Sequence, residues 1–287
     1  MSPEQKSNSS LEWISIKLSF VLVAAPITCL MALNAQGCPF PTGICRVYDF
    51  APFFSAPGSY IVISLFLVLC ALYVAERGML VTTFLLAAMS CIIISRHESN
   101  GIFYRATVLS VIWIFQFLAY LFYRLRPGFR IEIYRIQYGM QAIAAVYTLA
   151  GVAKIAASGL GWIDAGANFP SQIVKNYSYI YFDSGDIAQL HQGYTFALFL
   201  LHHPGVVQFF LAVSLFLEVF CMVAVLNKRM SLIWGLGLLM MHIGIAAIMG
   251  IGISVIAKPM VVFFINPLYL IIRGLKHLWQ RKISVVE

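Results

Sequence analysis

Apolar residues fall into eight blocks separated by short polar stretches, at about 12–32, 60–75, 79–95, 103–123, 136–157, 205–226, 230–252 and 256–272. A helix needs about 20 apolar residues to cross a hydrocarbon core of roughly 30 Å, and most of the blocks approach that length with almost no charge inside. The pattern predicts an all-α, polytopic transmembrane helix bundle of about eight spans, one domain over residues 1–287. The third and last blocks are short. Lys258 and Pro259 leave the last open between a full span and a re-entrant segment. The first block, followed by residues 32–37, has some features of a cleaved signal, but an uncleaved span is expected.

Composition sharpens the class. Hydrophobic residues make up 61% of the 287 and charged residues 10%, too few to cover a soluble globule. The formal charge of +8 does not point to nucleic acid, because Lys and Arg lie between the apolar blocks and form no basic stripe. They report topology instead. With the stretch 123–130 and Arg135 inside, alternation also puts Lys6, Arg77, Lys228, Arg229, Arg273, Lys276, Arg281 and Lys282 inside. Only Arg46, Arg96, Arg105 and Lys175 fall in outer loops, so both termini are predicted cytoplasmic. Membrane lipid is the expected surroundings.

Six cysteines are present with no CxxC pair. Cys38 and Cys45 share the first outer loop, residues 33–59, in a Pro- and Gly-rich turn where a structural disulfide is expected; a redox pair is the alternative. The second outer loop, 158–204, carries Trp162, Tyr177, Tyr179, Tyr181 and Tyr194. It suits an interfacial helical wedge or a substrate flap.

Polar groups within spans carry the candidate chemistry, since each costs several kcal/mol unless paired. Lys17 is near a span end and can snorkel to water. Lys154 lies about 18 residues into a span that starts inside, which places it in the outer third. Burial there disfavours an ammonium, and a neutral amine acts as a base; snorkelling is the competing reading. Glu218 and His242, on consecutive antiparallel spans at similar depth, could meet across the helix pair, as a relay or as a structural bond. His97 falls in the short outer turn 95–101. Tyr147 and Trp162 flank Lys154 and join Glu218 as binding candidates. His191, His202 and His203 lack a metal-ligand spacing, and no metal is predicted.

The stretch Ala150-Gly151-Val152-Ala153-Lys154, followed by Trp162, resembles the membrane domain shared by vitamin K-dependent γ-glutamyl carboxylase and bacterial relatives, the horizontally transferred transmembrane (HTTM) domain. His242, Ile251-Gly252, Pro259 and Phe263-Phe264 resemble that family's later histidine, Ile-Gly and Pro-containing block, and His97 resembles a histidine before one of its helices. The resemblance covers about residues 90–270. It implies that Lys154 is a catalytic base, with His97 and His242 positioning a reduced, vitamin K-like quinone or another lipid-soluble or peptide substrate at the outer face of a bacterial inner or plasma membrane. Arg96 departs from the family's Asn, and the large lumenal part of the carboxylase has no counterpart, so carboxylation of protein glutamates is not expected. Short relatives accompany maturation or export of secreted, toxin-like peptides, which implies a non-catalytic accessory role as the alternative. The Gly, Lys and Glu pattern also resembles the smaller DoxX-like family. A transporter ranks third, for want of paired broken helices in matching halves.

Overall fold

The computed structural model describes residues 3–35, 39–101, 106–126, 130–164, 168–249 and 255–283. All regular elements among them are helical: α1 (Pro3–Leu33), α2 (Ala56–Val74), α3 (Met79–Glu98), α4 (Thr107–Leu125), α5 (Ile131–Ser158), α6 (Gly161–Asp164), α7 (Phe169–Ser184), α8 (Ile187–His202), α9 (Pro204–Val219), α10 (Lys228–Met249), α11 (Ala257–Met260) and α12 (Pro267–Ile283). Among the described residues, seven helical stretches are long and apolar enough to cross a membrane, the last of them Ala257–Lys276 over α11 and part of α12, or up to eight if the bent pair α8–α9 is one span. The chain is thus an all-helical protein built to be embedded in a membrane.

Packing divides it into two compact units, residues 1–143 with 258–287 and residues 144–257. In the first, α1 packs with α2, α3 and α12. Its core is aromatic: Phe20 meets Trp113 at 4.8 Å and Phe263 at 5.5 Å, and Tyr73 meets Trp113 edge-on at 4.9 Å. Beside it lies a charged cluster. Glu76, in the turn between α2 and α3, has a left-handed backbone with φ 56°. Its Oε1 accepts from Trp13 Nε1 at 3.0 Å, Lys17 Nζ at 2.9 Å and Arg135 Nη1 at 3.0 Å. The Arg135 guanidinium is held between the rings of Trp13 and Tyr120, 4.9 and 4.5 Å from their centroids. Lys17 therefore does not snorkel to water. It is buried, and its second acceptor is the Val74 carbonyl at 2.8 Å.

In the second unit the stretch between the fifth and sixth apolar blocks is helical, the helical one of its two expected forms. Residues 161–202 are mostly helical, with α7 and α8 joined at Gly185, whose φ of 71° closes α7, and at Asp186, whose side chain accepts from Ala188 N to start α8. Ile173, Tyr177, Ala197, Leu200, Val207 and Leu211 form the core shared by α7, α8 and α9. Between α8 and α9 the axis turns by 93°. The cause is local: His203 precedes Pro204, which excludes the helical region, and His203 sits at φ −126°, ψ 61°. The expected span 205–226 is accordingly not one helix, since α9 stops at Val219 and a 3-10 turn, Cys221–Val225, follows.

Candidate functional site

The candidate site lies within the second unit and is organised by α5. Tyr147, Gly151 and Lys154 are spaced i, i+4, i+7, so they share one helix face. Gly151 permits close approach of α9: a Cβ there would lie 2.9 Å from the Val219 backbone nitrogen and 3.1 Å from Glu218 Cβ. That approach brings the end of α9 against the third residue of the face. Lys154 Nζ donates to Glu218 Oε1 at 2.7 Å and Oε2 at 2.5 Å. Glu218 is buried, with 8% of its side chain exposed, while Lys154 keeps 27%, so the pair is reached from the lysine side. Trp162, delivered by the short α6, places its ring centroid 5.3 Å from Nζ, a cation–π contact.

Two turns along α5, the Tyr147 hydroxyl and His242 Nε2 of α10 are 2.6 Å apart, both residues buried. Their rings stand edge-on at 5.8 Å. Nearby, Ser214 Oγ donates to Met241 Sδ at 3.0 Å, tying α9 to α10.

This pairing differs from the sequence expectation. Glu218 meets Lys154 and not His242, and His242 meets Tyr147. Equal depth on adjacent helices was the basis for joining Glu218 to His242, and depth does not tell which face a residue takes. The i, i+4, i+7 spacing of Tyr147, Gly151 and Lys154 is the signal that would have found the correct partners. His97 also moves: it lies in the last turn of α3, in the first unit, buried, and is not an exposed loop residue. Cys45 is buried in the turn Gly43–Arg46, while Cys38 lies outside the described residues, as do Ile251 and Gly252. Among the described residues, no three His, Cys, Asp or Glu side chains gather as metal ligands.

The second unit thus holds an ammonium-capable amine, a buried carboxylate, a phenol and an imidazole in two hydrogen-bonded pairs, with an indole beside the amine. Such a set can hold, share and pass protons in a dry setting. Comparison with protein-family models, with curated proteins and with solved structures finds no match.

Proposed function

We propose that the chain is a membrane-embedded acid–base enzyme in which Lys154 and Glu218 exchange a proton with a lipid-soluble, quinol-like substrate or a peptide at the outer face. The observation that carries this is the Lys154–Glu218 pair, buried on the carboxylate side and open on the amine side. Both Glu218 oxygens lie at hydrogen-bond distance from Nζ, so the carboxylate is placed to take the ammonium's proton. Lys154 then presents a neutral amine. That amine takes a proton from a substrate hydroxyl, and the ammonium formed holds the substrate anion. A bound reduced quinone would supply an acidic phenolic proton there. The residues fit such a group: Trp162 offers a flat face beside the amine, and the hydroxyl end would meet Nζ. Tyr147 and His242, hydrogen-bonded to each other two turns along α5, provide a second proton acceptor. These steps draw on the second unit alone, without His97. The same reading puts the chain in a bacterial inner or plasma membrane with both termini cytoplasmic.

The test is spectroscopic. In nanodiscs under anaerobic conditions, a reduced naphthoquinone should bind and absorb as its anion, and in Lys154→Met it should absorb as the neutral form. Failure to bind, or identical spectra in both proteins, would overturn the proposal.

A second reading is favoured by one observation: within this set every polar side chain has a protein partner, as expected of glue between helices. The chain would then be a non-catalytic accessory protein for maturation or export of a secreted peptide. Under that reading the double variant Lys154→Met/Glu218→Leu, if folded, keeps full function.

A further inference from the structure

We propose that α12 lies along the inner membrane surface as an amphipathic helix that binds anionic lipid headgroups. This is independent of the Lys154 site. Depth along α1 sets the boundary. Trp13 and Lys17 reach the charged turn at Glu76, where Arg135 also arrives, and a charged turn between two spans marks the polar edge of the hydrocarbon. Asn266 reaches the same level, donating from Nδ2 to the Glu12 carbonyl at 3.4 Å and to Ser15 Oγ at 2.9 Å. Three residues earlier, Phe263 packs on Phe20, deeper along α1. The chain therefore runs outward from the interior and meets the edge at Asn266, whose φ of 50° ends a π-helical turn, Val261–Ile265. The 17 residues of α12 begin at the edge. At ~1.5 Å per residue they make a helix about 25 Å long outside the crossing segment. The apolar window Ala257–Lys276 spans this break and so overstates the crossing helix.

The surface of α12 says where it goes. Leu268, Ile271, Ile272 and Leu275 repeat at i, i+3, i+4, i+7 and form one stripe. Ile271 is 59% and Leu275 62% exposed, so the fold leaves much of that stripe uncovered. Arg273 and Lys276 are exposed too, and the helix sequence continues through Arg281 and Lys282. An apolar stripe alone would fit any greasy partner. Basic residues on the same helix select an anionic bilayer surface, where the stripe sinks among acyl chains and the cations meet phosphates. A second copy of the helix would set like charges against one another.

Hydrogen–deuterium exchange of the full chain tests this in nanodiscs of phosphatidylcholine, alone or mixed equally with phosphatidylglycerol. Amides of residues 268–283 should exchange at least about 25-fold more slowly with the anionic lipid, and each of Arg273→Gln and Lys276→Gln should remove about a fivefold factor. Amides of α4 should be unchanged in all cases, which reports an intact bundle. Equal exchange in the two lipids would overturn the proposal. So would protection that grows with protein concentration alongside a dimer in native mass spectrometry.

Discussion

At the residue scale, the two charged clusters behave differently because they are balanced differently. Lys154 and Glu218 are one cation and one anion, and removing either partner leaves a charge in a dry place, a loss of about 3–5 kcal/mol for fully buried pairs. Lys154 is partly exposed, so Lys154→Met or Glu218→Gln should cost somewhat less than that, and Lys154→Met/Glu218→Leu should cost clearly less than the sum. Unfolding in mixed micelles with increasing SDS measures the cycle; additive losses would show that the two side chains do not act as a pair. Glu76 carries a pH dependence. Burial alone would raise its carboxyl, but the hydrogen bond from Lys17, the charge of Arg135 and the hydrogen bond from Trp13 outweigh that and hold it below its ordinary 4.5. A depressed carboxyl stabilises the fold above the unfolded value and loses that contribution as pH falls through the folded one. Thermal unfolding should therefore shift downward on acidification below about 4.5, and Glu76→Gln should flatten the dependence over that window. Lys154 was legible in the sequence as a basic residue deep in a span. Glu76 was not, because its importance comes from Trp13, Lys17 and Arg135, which are remote along the chain.

At the element scale, α5 does the positioning, and Gly151 is the residue on which its contact with α9 turns. A methyl group there would press on the Val219 backbone, which cannot move aside as a flexible side chain can. Overpacking of this kind costs about 1–3 kcal/mol, of which the better helix propensity of alanine returns up to about 1 kcal/mol. Gly151→Ala should be mildly destabilising and Gly151→Leu severely so, with the Lys154–Glu218 coupling energy falling in parallel. A Gly151→Leu protein as stable as the parent would show that α5 and α9 do not approach closely. The spans α1 to α5 and α10 were legible because a long uninterrupted apolar run has one solution in a bilayer. Residues 158–204 read as a connection between spans, helical wedge or flap, for the opposite reason. Their helices are 16 residues long with aromatic and polar residues mixed, below the length that marks a span. The bend before Pro204 was legible in the dipeptide His203-Pro204, because the residue before a proline avoids the helical region.

At the scale of the whole molecule, the number of crossings decides which side each end occupies, and the bent pair α8–α9 is the element on which that number depends. Either α8 lies at the outer surface and α9 with the following 3-10 turn crosses, or the pair dips in and returns. Charge argues for crossing: Lys228 and Arg229 follow the turn directly, and basic residues collect on the cytoplasmic side. The 93° bend agrees, since a helix lying in the interface must turn sharply to enter the bilayer. Reporter fusions placed after Asp183 and after Asn227 separate the two cases. An enzyme active only outside the cytoplasm should be active after Asp183 and silent after Asn227. Activity at both positions would make α8–α9 re-entrant, turn α10 over, and place the basic pair on the outer side against the charge rule. It would also bring the end of α9 that bears Glu218 back toward the outer surface, whereas a crossing α9 carries Glu218 toward the middle of the bilayer.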